Sequence, residues 1–182
     1  MKKTIMLFML LGVVTFSYAQ KKKTTTSATI TFDATTPKDA LPKAENKTVV
    51  ASLDIKTGAV AFESVVKSFS FGNPMMQEHF NGAPWMDSEK FPKASFKGKI
   101  TNLAVVNFKK DGTYTADVTG DLTMHGVTKP VKSTVSVVVK GKSVSTTSDF
   151  TVKLSDFGVN GPAIAAGKVA EEPKITVVAS FK

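Results

Sequence analysis

His79 and His125 are the only two imidazoles in this chain of 182 residues, and the first of them keeps company with carboxylates. Glu78 adjoins it, and Asp87 and Glu89 follow in the stretch "NPMMQEHFNGAPWMDSEKFPKASFKG", Asn73 to Gly98. An imidazole among carboxylates can ligate a metal or move a proton. The spacing does not suit either task, because neither His-x-x-x-His nor Glu-x-x-His occurs, and zinc and di-iron sites use those spacings. Nor does the chain contain a Gly-x-Ser-x-Gly elbow, a glycine-rich phosphate loop or a dinucleotide fingerprint. With no cysteine, thiol catalysis, cysteine-ligated zinc and iron–sulfur clusters are also removed. The residues therefore read as those of a protein that is not an enzyme, with no cofactor and no metal. His125 is expected to hydrogen-bond turn backbone, and His79, with Asn81, to stand at a polar rim.

The same stretch is unusually apolar for a connection between elements. Phe69, Phe71, Met75, Met76, Phe80, Trp85, Met86, Phe91 and Phe96 are too many large apolar side chains for an ordinary surface loop. Methionine and aromatic rings together make an adaptable surface suited to chains without fixed shape. Two readings account for them equally: they seal one end of a packed core, or they form a lid or mouth over an apolar bore.

Whichever holds, other elements must position them. Lys2 and Lys3, the apolar run Ile5 to Phe16 and the small-x-small triplet Ser17-Tyr18-Ala19 read as a signal peptide over residues 1–19, cleaved before Gln20. The product is then expected to be exported, periplasmic or secreted. Residues 20–27 read as a polar Lys/Thr leader. From Ala28 on, the chain reads as strands. Between Thr113 and His125, Tyr114, Ala116, Val118, Gly120, Leu122 and Met124 fall on one face and Thr115, Asp117, Thr119, Asp121 and Thr123 on the other. That is period two, which no amphipathic helix produces. The signature recurs at Val131–Lys140, Phe150–Leu154 and Ile175–Phe181. It is less regular at Ala28–Ala34, Thr48–Ile55, Ala59–Phe71 and Lys93–Phe108, where the phase slips near Val65-Val66 and Asn102 as bulges would cause.

Short turns at Lys56-Thr57-Gly58, Lys110-Asp111-Gly112, Gly126-Val127-Thr128-Lys129 and Lys140-Gly141-Lys142 join these strands into an antiparallel meander. The expected fold is all-β: a single eight-stranded antiparallel barrel with a short helical segment or loop at about 74–91. A two-sheet sandwich is the alternative. Strands of ten residues rise roughly 33 Å, and at a tilt of about 40° they enclose an interior roughly 25 Å long. Tyr114, Val118, Leu122, Met124 and Phe150 face that interior. Small residues there, Ala116, Gly120, Ser133, Ser148 and Ala179, favour an unfilled bore.

The formal charge is +9, and all 24 basic residues are lysines. Readers of phosphate and nucleic acid use arginine's planar fork, so no nucleic-acid partner is expected. Scattered lysines read first as a solvated outer face, and second as a weak attraction to anionic membrane surfaces.

Two segments then resemble a known family. "DSEKFPKASF", Asp87 to Phe96, and "VTGDLTMHGVTKPV", Val118 to Val131, resemble the patterns D-x-E-K-Y/F-P-x-A-x-F and V-x-G-x-L-T-x-H-G-V-T-K-x-V of the YceI-like proteins. The likeness runs from about Ala28 to Lys182. It implies an elongated lipocalin-like barrel whose hydrophobic tunnel binds polyisoprenoids or other long-chain amphiphiles in the periplasm without catalysis. The ligand would be an isoprenoid lipid or quinone. The tunnel and its mouth would be formed by Phe69, Phe71, Met75, Met76, Phe80, Trp85, Phe91, Phe96, Tyr114, Val118, Leu122, Met124 and Phe150. The competing reading is a secreted stress or interaction protein whose barrel is filled by its own side chains. One departure stands out: the first strand here reads "ITFDATTPKDALPKAENK", without the histidine many members carry there.

Overall fold

The computed structural model describes residues 22–182; the signal-peptide cleavage expected at Ala19/Gln20 lies outside them. Eight long strands close on one another: β1 (Lys22–Asp33), β2 (Lys43–Asp54), β3 (Ala59–Val65), β5 (Lys93–Ile100), β6 (Gly112–Met124), β7 (Val127–Lys140), β8 (Ser143–Thr151) and β9 (Lys174–Phe181). Each pairs antiparallel with its neighbours in the order β1-β9-β8-β7-β6-β5-β3-β2, and β1 pairs β2 to complete the circuit. A two-residue strand, β4 (Ser70–Phe71), leans on the start of β2. The barrel is therefore the expected one, not the sandwich.

Its two ends differ. At the base lie the β2–β3, β5–β6 and β7–β8 turns, the start of β1 and the end of β9. Here Ala28, Val49, Ala51, Leu53, Val137, Val139, Ala179 and Phe181 pack into a solid cluster. At the other end the long connections gather: residues 34–42, 66–92 and 152–173. They carry α1 (Pro74–Asn81), α2 (Pro162–Ala165) and a second cluster built around Val66, Phe69, Phe80, Met86, Leu154 and Val159. This end is the lid.

Several boundaries depart from the sequence reading. The residues read as a polar leader are, from Lys22 on, the first half of β1, paired with β2 from Lys22↔Asp54 onward. Nothing apolar marks them, because Lys22 to Ser27 are two lysines followed by three threonines and a serine. The phase slips near Val65 and Asn102 are ends of strands, not bulges: β3 stops at Val65 and gives way to a 3₁₀ turn, and β5 stops at Ile100. The register shifts lie instead between Thr25 and Ile30 against β2. Asn46 stabilises that irregular stretch. It is fully buried, accepting from Thr48 N and Oγ1 (2.9 Å each) and donating to Val65 O (3.0 Å), so its polarity is satisfied.

The β6–β7 turn is also shorter than expected. Met124 pairs with Val127, leaving only His125 (φ 51°) and Gly126 (φ 74°) as the loop. Positive φ at both central residues is the two-residue hairpin geometry whose twist matches the strands it joins. Likewise, Phe150–Leu154 is not one strand: β8 covers Ser143–Thr151, and Leu154 opens a 3₁₀ turn.

Candidate ligand-binding cavity

A cavity lies between the two clusters, along the barrel axis. The space inside, counting the open volume at its ends, is about 1410 Å³. Its walls come from every long strand: Ile30 and Phe32 from β1, Leu53 from β2, Phe62 from β3, Phe96 from β5, Leu122 from β6, Val131 from β7, Phe150 from β8 and Ile175 from β9. No lining residue is charged. The polar exceptions are hydroxyls: Ser64, Ser95, Ser133, Thr146 and Ser148. The Ser133 and Ser148 hydroxyls lie 2.9 Å apart, where one donates to the other and the acceptor donates in turn to a backbone carbonyl, Asp149 O (3.0 Å) for Ser133 or Thr134 O (2.8 Å) for Ser148. A wall with no charge and only five small hydroxyls, two of them bonded to each other, offers a chain mainly apolar contact.

The width of the bore is set partly by glycine. Gly98 and Gly120 face each other across β5 and β6, and the ring of Phe96 lies over both. A Cβ on either would come within 2.7 Å of Phe96 Cζ and within 2.4 Å of a carbonyl on the neighbouring strand. Phe96 therefore lies flat along the wall only because two side chains are missing beneath it.

The lid seals the far end with rings. Asn73 caps α1 by accepting from Met75 N (2.9 Å), and Pro74 supplies the preset first turn. Gln77 fastens the helix to β4, donating to Phe69 O (2.7 Å) and accepting from Phe71 N (3.2 Å). So held, Phe80 points down the bore, 9% exposed, with ring centroids 5.0, 5.7 and 5.9 Å from Phe71, Phe69 and Phe32. Trp85 also lines the cavity and rests on Gly161 of the β8–β9 connection, where a Cβ would lie 3.6 Å from the indole. The β1–β2 connection is tied to the same segment by Ala170 N donating to Ala34 O (2.9 Å) and Thr36 Oγ1 to Gly167 O (2.9 Å).

Of the residues read as tunnel or mouth, Phe69, Phe80, Trp85, Phe96, Val118, Leu122, Met124 and Phe150 line the cavity. The others do not. Met75 is 64% exposed on the outer side of α1, whereas Met76, one turn before Phe80 on the same face, is half-buried but falls short of the cavity. Phe71 sits behind Phe80. Tyr114 points inward as its parity requires, but packs into the base cluster and donates to Lys110 O (2.9 Å). His79 is exposed, so it forms no rim, and Asn81 turns back to donate to Gln77 O (2.9 Å). The walls from β1, β2, β3, β7 and β9 were missed, although Val131, Val135, Ile175 and Val177 alternate as clearly as β6 does.

Phe91 has another duty, shared with His125. Its ring stands edge-on to the imidazole (4.8 Å) and presses on Gly126, where a Cβ would sit 2.4 Å from Phe91 Cε1. His125 Nδ1 in turn bonds Phe157 O (2.9 Å), so the imidazole links the β6–β7 hairpin to the β8–β9 connection, not to its own turn. The two segments that carried the family resemblance thus pair along the cavity wall, Phe96 opposite Leu122, and meet again through Phe91 and His125 at the lid. Among the described residues no three of His, Asp and Glu gather as metal ligands would. Asp33 is held below the usual carboxylate range by the Thr35 hydroxyl and backbone and by Lys43, against a partial burial that pushes the other way. Asp54 is lowered by the Lys56 and Thr57 amides of its turn. Neither reaches the cavity.

Comparison with known proteins agrees with this architecture. The YceI-like domain family matches residues 12–181. A UPF0312 protein of Pseudomonas putida strain GB-1 is 43% identical over 91 residues, 47% of this chain and 44% of that protein. One from Pseudomonas fluorescens strain SBW25 is 36% identical over 113 residues, 59% and 55% of the two. The chain thus spans about half the length of the curated relatives it matches. Among solved structures, BcnA of Burkholderia cenocepacia superposes with a TM-score of 0.71 at 22% identity, covering 85% of this chain and 96% of that one. A polyisoprenoid binding domain from Saccharophagus degradans does so with 0.74 at 12% identity, covering 90% and 98%. These likenesses share the fold, and the family match spans nearly the whole barrel: the chain belongs to the YceI-like family.

Proposed function

We propose that the protein is a non-enzymatic carrier that holds a long-chain isoprenoid or similar amphiphilic lipid, a quinone among them, in the barrel cavity, and that it works in the periplasm or outside the cell. The observation that carries this reading is the wall itself, drawn from every long strand, with no charged side chain and only a few small hydroxyls. Such a surface favours apolar chain and has no group placed to choose among head groups. A five-carbon unit buried there contributes roughly 4 kcal/mol gross. Two or three units cover a micromolar affinity, about −8 kcal/mol, before ordering costs. Affinity would therefore track tail length. The neighbour named for polyisoprenoid binding supports the ligand class, and the open interior weighs against the side-chain-filled alternative.

Organic extraction of the purified protein, followed by mass spectrometry, tests the reading. A stoichiometric isoprenoid or long-chain lipid is the expected result. Trp85, the only tryptophan, lines the cavity and should show a saturable change in emission when a delipidated sample is titrated with a long isoprenoid. A single-unit analogue should leave the emission unchanged. No extractable lipid together with no response at Trp85 would defeat the proposal.

A further inference from the structure

The two ends of the barrel are electrically unlike. At the base, the strand ends and turns bring together Lys22, Lys23, Lys56, Lys109, Lys110 and Lys142, joined by Lys140 and Lys182. The only carboxylates in the base turns are Asp54 and Asp111, and backbone amides already occupy both: Lys56 N and Thr57 N on Asp54, Gly141 N on Asp111. At the lid and the strand halves beneath it, acids and lysines are balanced and interlocked. Lys43–Asp33, Lys47–Glu45, Lys67–Glu89, Lys93–Glu63 and Lys174–Asp149 all lie there. Among the described residues no base lysine forms an ion pair. The net positive charge is therefore not spread over the surface, as the sequence suggested. It is concentrated on one end cap.

A second feature sits in the same place. The β5–β6 connection makes a 3₁₀ turn, Leu103–Val105, in which Val105 is 47% exposed, in the same connection as Lys109 and Lys110. An apolar tip among unpaired lysines matches the interface of an anionic bilayer, where lysines meet phosphate and a small apolar group enters the head-group region. Duplex nucleic acid would favour arginine, which this chain lacks, and has no use for the valine. We propose that the base is a docking face for membranes rich in anionic phospholipid. The barrel then stands on its closed end, with the lid and Trp85 pointing away from the bilayer. This does not depend on what the cavity holds.

The test uses vesicles of phosphatidylcholine with and without phosphatidylglycerol. The chain should sediment with the anionic vesicles only, and added salt should release it. Lys109→Glu/Lys110→Glu/Lys142→Glu should weaken partitioning roughly a hundred-fold, at about five-fold or more per lysine. The lid-end reversal Lys129→Glu/Lys153→Glu/Lys168→Glu should change it far less, both variants keeping the parent's melting temperature. For orientation, Trp85 should be unaffected by brominated lipid, whereas Val105→Trp in a Trp85→Phe background should be quenched. Equal loss from both reversals, or quenching of Trp85 but not of the tryptophan at 105, would overturn the proposal. So would binding to heparin or duplex DNA without binding to anionic vesicles. Lipid recovered by extraction should be the same for the base reversal and the parent, which separates failure here from failure of the cavity reading.

Discussion

Phe80 answers to two demands at once. Its ring closes the bore, and it is also a member of the lid cluster, in contact with three other phenylalanines. A lid that opens freely would leave such a ring half-exposed, yet Phe80 is as buried as the core. Emptying a packed aromatic site costs about 3–5 kcal/mol. One side of Phe80 already faces free space, so Phe80→Ala should fall near the lower limit, about 3 kcal/mol, measured by urea unfolding. Met75→Ala on the outer side of the same helix should stay within about 0.5 kcal/mol. If the two substitutions cost the same, the inward face of α1 has been misplaced. Composition drew attention to both residues, but only the helix's rotation, which a two-turn segment does not reveal by periodicity, separates wall from surface.

Turns and strands show where sequence reasoning reached and where it stopped. β6 was legible because apolar or small residues alternate with polar ones without interruption from Tyr114 to Met124, and α1 because Pro74 opens it. The first half of β1 was not, since Lys22 to Ser27 bury almost nothing and owe their conformation to pairing with β2. The cavity's residues on β6 followed from parity alone, while its walls on β1 and β3 depend on closure, a property of the whole circuit. In sequence Gly126 looks like the first of a four-residue turn, with His125 ending the strand before it. Their positive φ angles and the ring of Phe91 make them a two-residue one. Gly126 and Gly141 give a matched comparison at this scale. Both have left-handed backbone, which costs alanine about 1–2 kcal/mol. Gly141 has nothing within 4 Å of a new Cβ, whereas Gly126 meets Phe91 at 2.4 Å. Denaturant titrations should therefore show Gly141→Ala losing only the backbone cost and Gly126→Ala losing about 1–3 kcal/mol more for displacing the ring. Equal losses would remove the Phe91 contact from the account of this hairpin.

For the molecule as a whole, an unfilled interior makes stability conditional. A ligand that binds only the closed barrel adds about 2.7 kcal/mol when its concentration is a hundred times its dissociation constant. A delipidated sample should melt lower than one resupplied with a long isoprenoid, with the gap growing with ligand concentration in scanning calorimetry. A melting temperature indifferent to every chain length would mean the cavity is not a binding site. The circuit that creates the cavity is joined where β1 meets β9, Thr29↔Val178 through Asp33↔Lys174, nearly the full length of the described chain apart. Pairing so remote in sequence is slow to form. During synthesis it cannot begin until the final strand has left the ribosome. Until then the inner face, with Phe62, Phe96 and Phe150, stays exposed, and the unclosed sheet is the aggregation-prone stage of this chain's folding.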